Sequence, residues 1–252
     1  SWPYGDLMPG NFLSKAVLPV FCVFVAVAGS SEKKVAIWAA SASLLTLIAS
    51  VLTGERINLI VRLCGGLLAG LFFRPIWSRY LLLISAQLLV VFSIFFAQPI
   101  IFNRFVDSFI QEMPLHGKSP YFQIWNSGFY SFLTSPVMGI GPDNYRNLCP
   151  TITAANTNVE CLNHPHNFYI QILAETGIVG LFLGVVMIGG IIWRCFKARE
   201  GMSRGVISAT CFVVPLAFFF PIQSTADFFG QWHNTFMWSA IAFSISVAHQ
   251  AR

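Results

Sequence analysis

Two histidines flank a proline in the stretch His164-Pro165-His166-Asn167, which directly precedes a long apolar run. A histidine can take up a proton near neutral pH, so this pair is a candidate for general-base chemistry. Asn167 can cap the helix that the apolar run predicts. Glu175 follows inside that run, where a carboxylate is costly and therefore a candidate functional residue. Either histidine could instead be a structural residue at a helix start.

Asn167, Gln171 and Glu175 recur every four residues. In a helix they form one polar stripe on an otherwise apolar surface. Such a stripe is expected to face other helices or a wet cavity rather than lipid. We therefore assign Asn167 and Glu175 supporting roles, with Glu175 two turns below the histidines.

Arginines form the second group of candidates. Glu55, Asn58 and Arg62 in "TGERINLIVRL" share one helix face, and Arg62 lies several residues into an apolar run, where it is either a ligand residue or a packing residue. Arg56 lies at the surface end of that run, where snorkelling is the simpler explanation. Arg146 follows a turn rich in glycine and proline. Because arginine binds phosphate oxygens bidentately, these residues favour a polyanionic substrate.

A further polar and aromatic turn is "STADFFGQWHN" at 224–234, with Asp227 and His233. Aromatic rings beside short polar groups are common in carbohydrate sites. Anchoring at the membrane interface also accounts for the aromatic residues.

Cys149 and Cys161 lie in a polar segment, and we interpret them as a disulfide on an oxidising side of a membrane. Two free cysteines are the alternative. A zinc site built from His164, His166 and either Glu160 or Cys161 is a further alternative, but the spacing matches no common zinc pattern. We expect no metal and no cofactor.

The composition is that of a membrane protein. Of the 252 residues, 56% are hydrophobic and 10% are charged, whereas soluble domains carry about 25% charged residues. The net charge of +5 is spread between apolar runs rather than gathered in a patch, which argues against a nucleic-acid partner. The chain has no initiator methionine, so we expect it to be the C-terminal part of a longer protein.

The apolar runs predict an all-α fold, a polytopic bundle of about seven transmembrane helices within one membrane domain, 1–252. The predicted spans are 13–30, 35–53, 57–73, 80–98, 168–193, 206–222 and 234–248. If the helices alternate in direction, nine of the fifteen Lys and Arg fall on one side, which is then cytoplasmic. The long connection 99–167 is therefore expected to lie on the outer side of the membrane, and so is the histidine pair.

Residues 121–132 within this loop predict an amphipathic helix. Its apolar face holds Tyr121, Ile124, Trp125, Gly128, Phe129 and Phe132, and its other face holds Gln123, Asn126, Ser127 and Ser131. The helix either packs on the rest of the loop or lies on the outer membrane surface, and its Trp and Tyr favour the surface.

The stretches "SPVMGIGPDNYRNLCP" and "HPHNFYIQILAETGIVGLFLG" resemble the C-terminal signature of the O-antigen ligase and polymerase family. In that family a long periplasmic loop ends in a Pro-x-Gly-x-Gly turn, and a His-Asn pair opens the next helix, followed by Glu-x-Gly. The matching residues are Gly139 and Gly141, His166 and Asn167, and Glu175, Gly177 and Gly180. The turn "LTGER" resembles the family's turn that ends in a functional arginine, here Arg56.

The resemblance implies a metal-independent, inverting glycosyltransferase of the bacterial inner membrane. Its donor would be a glycan on undecaprenyl diphosphate, and its acceptor a sugar hydroxyl on lipid A-core or on another glycan. His166 would be the general base, with His164 as a neighbour, and Arg56 and Arg146 would bind the diphosphate. The family also has an arginine four residues before a Trp, but here Tyr121 precedes Trp125, which leaves Arg146 or Arg104 as the second arginine.

Three alternatives remain. An O-antigen polymerase and a protein O-oligosaccharyltransferase would use the same residues as the ligase. A transporter of lipid-linked glycan belongs to a different class, and transporters tend to show broken helices in two related halves. The sequence shows no internal repeat.

Overall fold

The computed structural model describes residues 10–30, 32–54, 56–73, 76–112, 119–155, 159–201 and 206–250. Within these ranges the regular structure is helical. The helices are α1 Gly10–Ser30, α2 Lys33–Leu52, α3 Arg56–Phe73, α4 Trp77–Ala97, α5 Pro99–Phe105, α6 Asp107–Glu112, α7 Pro120–Thr134, α8 Tyr145–Ala155, α9 Phe168–Gly201, α10 Val206–Phe218 and α11 Gln231–Gln250.

Each of the seven predicted spans coincides with one of these helices. Three of them are long and apolar enough to cross a membrane among the described residues, namely Lys33–Leu52, Trp77–Ala97 and Phe168–Lys197. The segments Val17–Gly29 and Leu59–Leu68 are apolar but shorter. The all-helical class is therefore confirmed, and seven spans stay a prediction.

The chain divides into two compact units. Unit 1 contains 1–105, 191–218 and 236–252, and its core is apolar, with Phe21, Leu47 and Val213 buried. A Cβ atom added at Gly65 would lie 3.2 Å from Val213 Cγ1. The absence of a side chain at Gly65 thus lets α3 and α10 approach closely, as small residues do in membrane helices.

Two arginines of unit 1 donate hydrogen bonds to backbone carbonyls. Arg62 is 1% exposed, its Nη1 donates to Thr46 O at 3.3 Å, and its guanidinium lies 4.9 Å from the ring centroid of Phe21. Arg104 Nε donates to Gly54 O at 3.0 Å, in the turn before Arg56. These contacts favour the packing role for Arg62 over the ligand role.

Unit 2 contains 106–190 and 219–235 and holds the histidine pair. The long loop contributes α6, α7 and α8 to it. Helix α8 was not predicted from the sequence, because Pro150 and two threonines weaken its helical pattern. Tertiary contacts described below support this helix.

Helix α7 confirms the predicted helix at 121–132, but its buried face differs from the predicted one. The buried residues are Ile124, Ser127, Gly128 and Ser131, whereas Phe129 is exposed. A Cβ atom added at Gly128 would lie 3.1 Å from Pro165 Cβ. Because the serines are small and form hydrogen bonds within unit 2, they line the close approach, and the larger aromatic side chains are displaced outward.

The ends of the last two helices also differ from the prediction. Helix α10 ends at Phe218 rather than at residue 222, and α11 begins at Gln231. Tyr169 Oη donates to Phe219 O at 2.6 Å, and Asn167 Nδ2 donates to Pro221 O at 2.8 Å. These side chains bind carbonyls that lie beyond the end of α10, so residues 219–230 form an irregular segment.

Candidate active site

A break in α9 organises the site. Gly177 has φ 68° and ψ −168° inside the helix, a conformation that residues other than glycine rarely adopt. A Cβ atom there would clash with Val137 O, and one at Gly139 would clash with the backbone of Glu175 and Thr176. The turn 136–141 therefore lies directly against the break.

The break and the turn satisfy each other's backbone hydrogen bonds. Ile140 N and Gly141 N donate to Ala174 O and Glu175 O, at 3.1 and 2.9 Å. In return, Ile178 N and Val179 N donate to Pro136 O and Val137 O, at 2.9 and 3.4 Å. A broken helix exposes carbonyls on one side and N–H groups on the other, and here the turn pairs with both.

Glu175 extends this arrangement to α8. Its side chain is buried, and its Oε2 accepts from Asp143 N at 2.6 Å while its Oε1 accepts from Tyr145 N at 3.3 Å. Tyr145 begins α8. A carboxylate at a helix N-terminus stabilises unsatisfied N–H groups and the helix dipole. Glu175 thus supports α8 and the turn before it.

The other members of the polar stripe bind the irregular segment 219–230. Asn167 caps α9, because its Oδ1 accepts from Tyr169 N and Ile170 N at 3.0 and 3.2 Å. Gln171 Nε2 donates to Asp227 Oδ1 at 2.6 Å. Gln171 Oε1 accepts from Phe228 N at 2.8 Å. The whole stripe is buried in unit 2, which agrees with the predicted inward orientation.

The two histidines meet on one carbonyl of the segment 219–230. His164 Nε2 and His166 Nδ1 each lie 3.2 Å from Thr225 O, and the two ring centroids are 4.2 Å apart. Thr225 N donates to His166 O at 2.9 Å. His166 has φ 52°, in the left-handed region. The backbone and the ring of His166 are thus both held by Thr225.

This contact selects one tautomer of His166. A carbonyl oxygen only accepts, so the ring nitrogen that faces it, Nδ1, must carry a proton. In a neutral imidazole the lone pair then lies on Nε2, which is the nitrogen that can accept a proton. The arrangement can therefore perform general-base chemistry at Nε2 of His166.

His164 presents the opposite tautomer, since its Nε2 faces the carbonyl. Burial lowers the pKa of His164 below its ordinary value of 6.5, although the charge of Asp227 and the hydrogen bond to Thr225 partly offset this. His164 is therefore neutral at neutral pH. It adds no positive charge next to His166.

Tyr145 and Ser127 form a buried contact that the sequence analysis did not predict. Ser127 Oγ donates to Ile124 O at 2.6 Å, so the Tyr145 hydroxyl donates to Ser127 Oγ. Burial raises the pKa of Tyr145 to about 12, a shift that the Ser127 contact opposes and the Glu175 charge reinforces. The pair joins α7 to the first turn of α8, which also carries Arg146.

Arg146 is exposed on the first turn of α8 and forms an ion pair with Asp143. Its Nε also donates to Asp143 O at 3.4 Å. Cys149 of the same helix is joined by a disulfide to Cys161, with their Cα atoms 5.6 Å apart. The disulfide ties α8 to the segment that leads into His164 and His166.

Unit 2 thus brings together His164, His166, Asn167, Glu175 and Arg146, as well as the cysteine pair. Arg56, which is half-buried, and Arg62 belong to unit 1. Glu55 and the side chains of Asn58 and His233 lie outside the described residues. Among the residues that are described, no three His, Cys, Asp or Glu side chains form a metal-binding group.

Comparison with known proteins identifies the family. A family model described as O-antigen ligase matches residues 41–185, more than half of the chain. The chain belongs to the O-antigen ligase family. Its members are membrane enzymes of glycan ligase or polymerase type, which places the chain in the bacterial inner membrane. No curated protein matches the chain.

The O-antigen ligase match contains Arg56, Arg146 and His166. Thr225 and Asp227 lie beyond its end at residue 185. The functional contact that sequence reasoning missed, the carbonyl of Thr225 on His166, is a backbone group and leaves no signal in the side-chain pattern. Asp227 was noted only as part of an aromatic turn.

Proposed function

We propose that the chain carries the catalytic part of a glycosyltransferase that moves a glycan from undecaprenyl diphosphate to a sugar hydroxyl of lipid A-core. The observation that supports this most is the 3.2 Å contact of His166 Nδ1 with Thr225 O, because it leaves Nε2 as the base. The site would face the periplasm, as the distribution of positive residues predicts.

In the proposed reaction, Nε2 of His166 takes the proton of the acceptor hydroxyl as its oxygen attacks the anomeric carbon of the donor. The bond from that carbon to the diphosphate oxygen breaks, and the configuration inverts. Undecaprenyl diphosphate leaves with its electron pair. The reaction needs only the donor and the acceptor, and a neutral base supplies the proton transfer.

The leaving diphosphate is proposed to be bound by Arg146 and Arg56. Arg146 is exposed and lies on the helix that Glu175 supports, which suits a residue that must hold a fixed position and still reach a ligand. An arginine that neutralises the leaving charge would accelerate the reaction. Its ion pair with Asp143 would then exchange for phosphate oxygens.

The variant His166→Asn tests the base. Asparagine tolerates the left-handed φ of this position and keeps an amide N–H that can donate to Thr225 O, but it cannot accept a proton. We therefore expect a folded protein whose activity falls by about 10²–10⁴-fold, the usual contribution of a general base. The measurement is the formation of long-chain lipopolysaccharide by the full-length protein in a strain without its own enzyme.

His164→Asn is the matched control, because His164 contacts the same carbonyl. We expect this variant to lose much less activity than His166→Asn. A normal lipopolysaccharide ladder from His166→Asn, at normal protein abundance, would exclude His166 as the base. The product that accumulates on deletion separates the ligase from its alternatives. Unmodified lipid A-core with polymer still on the lipid carrier indicates a ligase, and core with one repeat unit indicates a polymerase.

A further inference from the structure

The length of α9 exceeds what a membrane requires. Its 34 residues would extend for about 50 Å, whereas the hydrocarbon layer is about 30 Å thick. The stretch from Ile178 to Trp193 has no charged or amide side chain and is followed by Arg194. It covers about 24 Å. The stretch is about four residues short of a full span, so most of the first nine residues of α9, among them Gln171, lie beyond the hydrocarbon layer, and the break at Gly177 lies where the apolar stretch begins.

An exposed apolar surface of unit 2 lies beside this break. We call it the apolar rim, and it consists of Phe129, Tyr130, Leu133, Val137 and Met138, all exposed. Met138, at 69% exposed, is the most exposed of them. Phe129 and Leu133 are one helical turn apart on α7. Val137 and Met138 lie in the loop turn 136–141 that follows this helix.

The apolar rim is continuous with the outward side of α9. Val137 O accepts from Val179 N, and Pro136 O accepts from Ile178 N. Ile178 and Val179 are themselves exposed and apolar, as are the residues one turn further on, Phe182 and Leu183. An apolar helix of this length that exposes such residues presents them to lipid.

The backbone of the turn is also compatible with the edge of a membrane. Non-helical backbone is tolerated near lipid only where protein satisfies its polar groups. Here Gly139 N donates to the carbonyl of Ser135, the residue that caps α7. The N–H groups of 140 and 141 and the carbonyls of 136 and 137 are hydrogen-bonded to the broken ends of α9. Inserting this turn therefore requires little desolvation of unpaired backbone groups.

We propose that the apolar rim inserts into the outer-leaflet surface of the bilayer, at the level of Gly177. Insertion would fix unit 2 against the membrane on one side. The start of α9 lies nine residues before Gly177, up to about 14 Å along the helix axis. His166 would then lie at the outer edge of the headgroup layer, where the sugars and phosphates of membrane-bound substrates are found, and not among acyl chains.

Depth measurements with spin labels test this proposal without reference to activity. In the full chain with Cys22, Cys64, Cys195 and Cys211 replaced by alanine and the Cys149–Cys161 pair kept, single cysteines are placed at Leu133, Val137 or Met138. Phe182→Cys on α9 is the lipid reference, and Asn147→Cys on α8 is the water reference. Each labelled protein is reconstituted in phosphatidylglycerol–phosphatidylethanolamine vesicles, and its accessibility to oxygen and to a water-soluble nickel complex is compared.

We expect the ratio of oxygen to nickel accessibility at the three rim positions to approach that of Phe182→Cys and to exceed that of Asn147→Cys several-fold. A ratio at Val137 and Met138 equal to that of Asn147→Cys would overturn the proposal, because the rim would then lie in water. Low accessibility to both reagents would overturn it as well, since protein would then cover the rim. Because the readout is depth, its failure is separate from a failure of the proposed reaction.

Discussion

Arg62 and Glu175 are both 1% exposed charged residues on apolar helices, yet their surroundings differ. Arg62 donates to the carbonyl of Thr46 within α2 and lies over Phe21 of α1, so both contacts are with residues of regular helices. Glu175 accepts from Asp143 N and Tyr145 N, in a turn and at a helix start. One buried charge packs helices together, and the other holds irregular backbone in place.

This difference extends to the two units. In unit 1, apolar contacts and glycine positions such as Gly65 explain the packing. In unit 2, the stripe of Asn167, Gln171 and Glu175 reaches backbone groups of 136–145 and of 219–230. The segment 136–145 leads into the first turn of α8, which carries Arg146, and the segment 219–230 carries Thr225. The polar network of unit 2 therefore positions the candidate active site.

The largest expected effect concerns the backbone break. In Gly177→Ala, the new methyl group meets Val137 O and the left-handed φ becomes strained. We expect the variant to lose about 3 kcal/mol of unfolding free energy, in the upper range for strain at a special backbone position. Thermal unfolding in a single detergent measures it.

Gly190→Ala is the matched control for that experiment. It is in the same helix, and no atom lies within 4 Å of the added Cβ. Alanine should then stabilise the helix by about 0.5–1 kcal/mol. Equal destabilisation by the two variants would show that the break at Gly177 has no special role.

The comparison of the two buried charges gives the next effect. Glu175→Ala removes the acceptor of the buried N–H group of Tyr145 and of the partly buried N–H group of Asp143, so we expect a loss of about 1–3 kcal/mol of unfolding free energy together with reduced ligation activity. Arg62→Met replaces a buried charge by an apolar side chain of similar length, a change that is often close to neutral. We expect it to stay within about 1 kcal/mol and to retain activity. If Arg62→Met abolishes activity in a stable protein, Arg62 is a ligand residue after all.

The smallest expected effect is a dependence on pH. Burial lowers the pKa of His164 in the folded protein below 6.5. The unfolded chain then binds the proton more readily, so the contribution of His164 to stability is full above about pH 6.5 and decreases as the pH falls towards the folded-state pKa. The thermal unfolding midpoint should decrease as the pH is lowered from about 7 to about 5, and His164→Gln should make that decrease smaller. An unchanged pH dependence in His164→Gln would contradict the neutral, buried state of this ring.

Much of the fold could be predicted from apolar run lengths. Each predicted span matched a helix, and Asn167 caps α9 as its position before an apolar run indicated. Helix α8 was missed because its own residues favour other structures, and its support comes from Glu175, 30 residues away from Tyr145 in the chain. The buried face of α7 was misassigned because Ser127 and Ser131 form hydrogen bonds that a hydrophobic pattern does not register.

The sequence by itself determined the helical class and the family signature, and the resemblance to the family led to the prediction of His166 rather than His164 as the base. Local chemistry was sufficient for the helical class, because an apolar run and a helix cap each act within a few residues. The tertiary structure alone decided which nitrogen of His166 can act as a base, since Thr225 lies 59 residues further along the chain. It also decided why both Gly139 and Gly177 are needed. The turn that contains Gly139 and the helix break at Gly177 approach each other so closely that neither position has room for a side chain.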